Sequence, residues 1–174
     1  MDVGVIGVGV VGGACKFGFE LAGHNVLVHD IALETTIDDV LPSEVVYICV
    51  PTPRDDDGSC DISIVRQVIS ELKNKGYEGV IAIKSTVVPG TTEILRMQTG
   101  MNIIFVPEFL RERCAITDFT ENHDVCIIGC SDDETFEIVK DCHGPFPEKF
   151  VRLSHAEAEF CKYFNNVYND YLCK

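Results

Sequence analysis

The segment that most constrains this chain is its first dozen residues. Val3 to Ile6 is a short β-branched run that passes directly into Gly7-Val8-Gly9-Val10-Val11-Gly12, and small and apolar residues then recur at helical spacing up to Val26. A G-x-G-x-x-G loop between a strand and a helix has a physical reading. Gly7 permits the tight turn, Gly9 leaves room for a pyrophosphate to approach the backbone, and Gly12 lets helix and strand pack closely. The helix N-terminus adds amides and a positive dipole. Val26 to His29 turns extended again, and Asp30 closes this second strand, at about the 20-residue distance where a carboxylate accepts ribose hydroxyls. Such a carboxylate repels a 2′-phosphate, which favours NAD over NADP. With strand, helix and acid all in place, a glycine-rich loop packed for its own sake is the weaker reading.

Length and charge then exclude several classes. The 174 residues carry 28 acidic and 14 basic side chains, a net charge of −14, and 46% are hydrophobic. A chain of this size is expected to form one domain whose core needs no disulfide or metal staple, and two-domain enzymes are excluded. The acidity argues against a nucleic-acid partner, so any anion site must work locally through backbone dipoles. Apolar runs such as Val45 to Val50 are far shorter than the roughly 20 residues of a membrane span. Met1-Asp2-Val3-Gly4 has no charged and apolar leader ahead of the strand, which reads as cytoplasmic. The nine cysteines are odd in number, and Cys15, Cys49 and Cys126 sit in apolar segments. Cys126 and Cys130 form the only close pair, without the partners a zinc site requires. Reduced thiols and no metal are expected.

Strand and helix signals alternate to the end. Val45 to Val50 is apolar throughout, as a central parallel strand is; Asp61 caps a helix bearing Ile62, Val65, Val68, Ile69 and Leu72, with Gly76 as its stop. Strands at Val80 to Ile83, Ile103 to Val106, Val125 to Ile128 and Lys149 to Arg152 are expected, with a helix over Thr92 to Met97 and an irregular segment from Pro107. Two capping boxes, Ser131 with Glu134 and Ser154 with Glu157, open two further helices. The first ends near Asp141 and the second runs to the end of the chain. The acidic run Arg54 to Gly58 reads as a solvated turn. The alternation predicts an α/β fold, a Rossmann-like doubly wound parallel sheet in a single domain.

Open sheets of this kind bind ligands at the C-terminal ends of their strands. Three polar patches fall there: Val50-Pro51-Thr52-Pro53, Lys84 to Thr92 with Ser85 and Thr86, and Val106 to Glu112. Thr52, Ser85 and Thr86 can hold a water or a ribose, and Glu108 and Glu112 share a face if their segment is helical. Two such carboxylates suit acid-base work; capping hydroxyls and solvated glutamates explain the same residues equally. Lys162 and Asn166 are four apart on a helix whose apolar stripe is expected at Cys161, Phe164 and Tyr168. An ammonium and an amide side by side suit an oxyanion, though such residues also commonly face water.

Taken together, these patches resemble the N-terminal domain of the UDP-glucose/GDP-mannose dehydrogenase family. The resemblance rests on Gly7 to Gly12, Val50 to Pro53 with Asp57-Gly58-Ser59 and Asp61, Ser85-Thr86-Val87 with Pro89 to Glu93, Pro107 to Glu112 with Ala115 and Asp118, and Ala158-Glu159 with Lys162-Tyr163 and Asn166. It implies oxidation of a sugar 6-hydroxyl through aldehyde to carboxylate, with two NAD reduced in turn and a cysteine holding the intermediate as thiohemiacetal and thioester. By resemblance, Glu108 is the catalytic glutamate, Thr86 helps place water, and Lys162 and Asn166 stabilise the oxyanion and contact substrate. Gly7, Val8, Gly9, Val10, Val11, Gly12, Asp30, Val50, Pro51, Thr52, Ser85, Thr86 and Glu112 would contact the cofactor; Glu108, Phe109, Leu110, Arg111, Glu112, Lys162 and Asn166 would contact UDP-glucose or a related UDP-sugar.

Three departures accompany it. The family's cysteine belongs to a later domain, absent from this sequence, and Cys173 has no matching context. Residues 1–153 are therefore expected to be the NAD-binding domain and 154–174 the start of a connecting helix. Such a chain is not expected to turn over without a second chain or domain that brings the cysteine. Only residues 31–44 stand between Asp30 and Val45, so the fold is shortened after the second strand. Arg113 occupies a position where the family usually has glycine. A non-catalytic dinucleotide-binding or interaction module derived from the family is the alternative, and a two-electron 3-hydroxyacid dehydrogenase a more distant one. The open end of the last helix is expected to favour self-association.

Overall fold

In the computed structural model, residues 1–55 and 57–172 are described; Asp56 of the acidic turn, and Cys173 with Lys174, lie outside the described residues. Seven strands, β1 (Asp2–Ile6), β2 (Asn25–His29), β3 (Val45–Ile48), β4 (Val80–Ile83), β5 (Ile103–Phe105), β6 (Val125–Gly129) and β7 (Lys149–Leu153), form one sheet in the order β2-β1-β3-β4-β5-β6-β7. Six helices, α1 (Val10–Leu21), α2 (Ser63–Asn74), α3 (Thr91–Thr99), α4 (Ala115–Thr120), α5 (Asp133–His143) and α6 (His155–Leu172), cover it. Every residue of β3, β4 and β5 is buried, which is why these strands read as unbroken apolar runs. Their side chains alternate between two layers. Val45, Tyr47, Ala82 and Ile104 pack with Phe19 and Phe119 on one face, while Val46, Ile48, Ile81, Ile83 and Phe105 pack with Val65, Ile69, Leu72 and Leu95 on the other.

The sheet is not parallel throughout. β1 to β5 are parallel neighbours, but β6 meets β5 antiparallel, at Phe105 and Gly129, and β7 is parallel to β6. The cause is the segment after β5, expected to be irregular, which contains the 3-10 turn Glu112–Cys114 and α4. A six-residue helix rises only about 9 Å, too little to carry the chain back past a strand, so β6 starts from the end of the sheet where β5 finished. Gly18 makes room for α4: a Cβ there would lie 2.2 Å from the Phe119 ring.

Three caps differ from expectation. Ile62 rather than Asp61 stands at the N-cap of α2, and Asp61 Oδ1 accepts from Ser63 N at 2.7 Å. The N-cap of α5 is Asp132, whose carboxylate accepts from Thr135 N at 2.7 Å, rather than Ser131; a carboxylate one residue closer to the helix takes the role. An unforeseen capping box at Thr36 and Asp39 (Thr36 N to Asp39 Oδ2, 2.6 Å) opens the 3-10 turn Ile37–Val40. Ile37 and Val40 are buried there, so this one turn seals the layer that the short 31–44 connection has to cover. Ser154 and Glu157 do form their box, with Ser154 N to Glu157 Oε2 at 2.9 Å.

The stripe expected on α6 is also corrected. Phe164 and Tyr168 are exposed and stack on one another at 6.0 Å, and Cys161 is half-buried. The buried side chains of α6 include His155, Ala158, Glu159 and Lys162, a stripe at helical spacing made mostly of polar groups. Glu159 and Lys162 are buried because each has a polar partner at a helix end or a strand end. Glu159 accepts from Gly90 N at 2.5 Å, Thr92 N at 2.7 Å and Thr92 Oγ1 at 2.6 Å, filling the orphan donors of the α3 N-terminus. Close approach comes from Gly129, where a Cβ would lie 2.7 Å from that of Ala158.

Truncating Glu159 to Ala strands those buried donors, and the expected loss of unfolding free energy is about 3 kcal/mol, read by urea denaturation. A loss below about 0.5 kcal/mol would show that α3 and α6 do not depend on this carboxylate.

Candidate functional site

The chain leaves β1 for β2 on one side and reaches β3 on the other, so a crevice opens at the C-terminal ends of β1 and β3. Gly7 lies there with φ +88°, and a Cβ on it would meet Cys49 O at 2.8 Å. A Cβ on Gly12 would fall 1.8 Å from Gly7 O, which is the close helix-to-strand contact the motif demands. Gly9 has nothing within 4 Å of its Cβ position and no side chain caps α1. The cradle thus leaves open space and free amides where a pyrophosphate would lie, and the residues present fit such a group.

Asp30 is tied into this loop. Its Oδ2 accepts from Val8 N at 2.6 Å and its Oδ1 from Ala32 N at 2.8 Å. The amides of Ala32 and Val8 hold its carboxyl below the ordinary range, so it is an anion at neutral pH. Val8, Val10 and Val11 complete the turn, with Val10 exposed.

The remaining patches converge on the neighbouring strand ends. Val50 is buried and Pro51 and Thr52 follow β3 into the crevice. Ser85 is buried and donates from Oγ to Val50 O at 2.7 Å, joining the first two patches. Thr86 is half-buried, and its carbonyl accepts from Cys60 Sγ at 3.4 Å.

Lys84, in sequence only one member of a polar patch, is a central group of the site. It continues β4, with its N donating to Ile48 O at 2.9 Å, and its side chain takes the same face as Ala82. That carries the ammonium over the Tyr47 ring, 5.5 Å from its centroid, and onto Glu108 Oε2 at 3.0 Å. Both groups are almost fully buried. Glu108 Oε1 accepts from Phe109 N at 3.0 Å. Burial opposes ionisation of Glu108, but Lys84, His123 and Lys162 outweigh it and hold its carboxyl below its ordinary value. Burial likewise opposes the Lys84 ammonium, and Glu108 with the surrounding thiols raises it above its ordinary value. From α6, Lys162 donates to the Lys84 carbonyl. Burial, with Lys84 nearby, lowers its ammonium to about 8 against the pull of Glu108.

Beside this cluster lies a cleft of about 720 Å³ lined by Glu108, Phe109, Leu110, Arg111, His123 and Asn165 among others. Reversal of β6 creates it, because the start of that strand, with Asn122, His123 and Asp124, then lies next to Glu108. These residues were missed by sequence reasoning, which took β6 as parallel. His123 Nδ1 sits 3.2 Å from Phe119 O, so that nitrogen carries the proton and Nε2 is the acceptor; burial keeps the ring below its ordinary pKa. Arg111 is anchored by Asp118, with Nε to Oδ2 at 3.0 Å, Nη2 to Oδ1 at 2.6 Å and N to Oδ2 at 2.9 Å. The Arg111 guanidinium holds the Asp118 carboxyl well below the usual carboxylate range.

Glu108 and Glu112 do not share a face. Residues 107–111 have no regular secondary structure rather than a helix; Glu108 is buried and Glu112 is exposed, lining a separate cleft with Val10, Gly13 and Arg113. Asn166 is exposed one turn beyond Lys162.

Comparison with known proteins agrees with this geometry. The model for the NAD binding domain of the UDP-glucose/GDP-mannose dehydrogenase family matches residues 32–147. The UDP-glucose 6-dehydrogenase of Haloferax volcanii is 30% identical over 154 residues, covering 77% of this chain and 36% of the relative; that of Pseudomonas aeruginosa is 34% identical over 141 residues, covering 72% and 31%. The structure of a UDP-glucose dehydrogenase from Pyrobaculum islandicum superposes with a TM-score of 0.84 at 27% identity, over 96% of this chain and 49% of that one. A GDP-mannose dehydrogenase of Pseudomonas aeruginosa shares the fold, with a TM-score of 0.83 at 24% identity over 99% of this chain and 51% of the other. The chain therefore spans about a third of these curated relatives and about half of these solved chains. With its glycine cradle, anionic Asp30 and matched residues 32–147, the chain belongs to the UDP-glucose/GDP-mannose dehydrogenase family and carries that family's NAD-binding domain.

Proposed function

We propose that this chain is the NAD-binding half of a cytoplasmic UDP-sugar 6-dehydrogenase, with UDP-glucose its first candidate substrate. Residues 1–153 form the nucleotide domain and 154–174 begin the helix that leads to a second domain or chain bearing the nucleophilic cysteine. The observation that carries this reading is Glu108, ionised and buried between Lys84 and the reach of Lys162, at the strand ends beside the glycine cradle. A module that only bound a dinucleotide would have no use for burying these charges, each of which costs several kcal/mol.

When bound, NAD supplies the hydride acceptor. The α1 amides with Gly7, Gly9 and Gly12 would receive its pyrophosphate, Asp30 its ribose hydroxyls, and Val50, Pro51, Thr52, Ser85, Thr86 and Glu112 the remainder. Glu108, Phe109, Leu110 and Arg111 line the cleft that would take the sugar nucleotide. As a substrate hydroxyl is oxidised, charge develops on its oxygen, and the Lys162 ammonium with the Asn166 amide would meet it. Donors fixed in advance are worth more there than donors that must turn. Thr86 would hold a water for the later hydrolytic step.

Calorimetric titration of the purified chain is expected to show saturable NAD binding, with NADP weaker at least about tenfold because Asp30 faces the 2′ position; equal affinity would sink the role given to Asp30. Gly9→Ala is expected to leave the melting temperature within about 2 °C while NAD affinity falls at least about tenfold, as a methyl enters the pyrophosphate space. Gly12→Ala is expected to destabilise the fold itself, because its Cβ has no room. Oxidation of UDP-glucose is expected only after a cysteine-bearing C-terminal half of a relative is added, and turnover by the chain alone would refute the division of labour.

A further inference from the structure

Two lysines share one carboxylate at the floor of the crevice, and they do not stand to it in the same way. Lys84, 1% exposed, holds Glu108 Oε2 directly at 3.0 Å. Its side chain is fixed from behind by the Tyr47 ring and its backbone by the β3 ladder. Lys162 approaches from α6, which Glu159 locks onto α3, and its ammonium is given the Lys84 carbonyl. The one residue, Lys84, therefore occupies the carboxylate with its side chain and seats the second ammonium with its main chain. We propose that Lys84 is a positioning residue for Lys162: by holding Glu108 as its own counter-ion and presenting its carbonyl to the second ammonium, it leaves Lys162 a readily exchanged proton. Near neutral pH this makes Lys162 a group that can release or take up a proton at its Nζ as a substrate oxygen gains or loses charge. Were Glu108 its own partner, it would be a permanent cation.

The groups that act on Lys162 from each element are few. They are Lys84 at the end of β4, Glu108 after β5, Cys49 after β3 and Cys15 on α1. Lys84 opposes its charge; the carboxylate and the two thiols favour it. The two decisive neighbours therefore predict opposite signs. Loss of the Lys84 charge frees Glu108 to pair with Lys162 and stabilises the Lys162 ammonium; loss of the Glu108 charge removes the carboxylate that supports it.

This inference deepens the proposed reaction, since that reading gives Lys162 its oxyanion, but its test needs neither cofactor nor substrate. The lysine Nζ resonances of isotopically labelled chain are titrated by NMR, with the Lys162 signal identified by its loss in Lys162→Met. In the unaltered chain a midpoint of about 8 is expected. Lys84→Met is expected to raise it by at least about one pH unit, a roughly tenfold change in proton affinity, and Glu108→Gln to lower it. Circular dichroism and thermal melts establish that each variant is folded. If Lys84→Met does not fold, Glu108→Gln decides, because an unmoved or raised Lys162 midpoint shows that the carboxylate and its partner do not govern it. An unmoved or lowered midpoint in a folded Lys84→Met chain overturns the proposal outright. Failure of NAD binding with the midpoints shifted as stated would instead refute the proposed function and leave this inference standing.

Discussion

The buried pair of Lys84 and Glu108 is the constraint on which the arrangement of the site depends. Two charges 3.0 Å apart in an apolar layer are a poor route to stability, since a well-packed apolar pair of the same volume commonly does as well or better. Their presence makes demands on the surrounding chain. The end of β4 must turn its side chain onto the Tyr47 face, the segment after β5 must stay out of a helix so that Glu108 points inward, and Phe109 must offer its amide to the second carboxylate oxygen. The helical alternative for residues 107–112 would have carried Glu108 away from Lys84. The packing of α6 follows from the same place, because Lys162 finds its acceptor on the main chain of Lys84.

Much of the scaffold was legible from the periodicity of the sequence, and the reasons are local ones. Val45 to Ile48 and Val80 to Ile83 are apolar on both faces and flanked by turn residues, so they could only be central strands. The α2 stripe of Val65, Val68, Ile69 and Leu72 repeats at helical spacing. Gly7 and Gly12 stand at contacts that admit no Cβ, and the composition of the loop says so. What could not be read was direction and neighbourhood. Nothing in the spelling of Val125 to Gly129 distinguishes a parallel from an antiparallel partner for β5; the distinction lies in how far α4 carries the chain, and α4 itself is too short to show a period.

The same limit governed the site. Gly9, Asp30, Glu108 and Lys162 were legible as candidates because each falls in a motif at a strand or helix end. Lys84 was passed over because a lysine beside serine and threonine reads as solvated, and its burial depends on Tyr47 and Glu108, residues distant in the chain. His123 was invisible for the reason that β6 was misdirected. On α6, the stripe expected at Cys161, Phe164 and Tyr168 followed the rule that apolar residues turn inward; the structure turns Glu159 and Lys162 inward instead, because the ends of α3 and β4 supply polar partners that outweigh that rule.

Asp30 carries a further consequence. Its carboxylate bonds the amide of Val8 inside the glycine loop, so the cradle takes its shape from the strand that follows it rather than from any ligand. The conformational entropy of ordering the loop is then surrendered when the chain folds, and association with a nucleotide begins from a surface already set. A side chain that shapes a receptor and, as proposed, would also touch its guest enters two equilibria at once. Affinity lost on replacing it therefore sums a missing contact and a loosened loop, and only a comparison with the folding free energy of the same variant separates them.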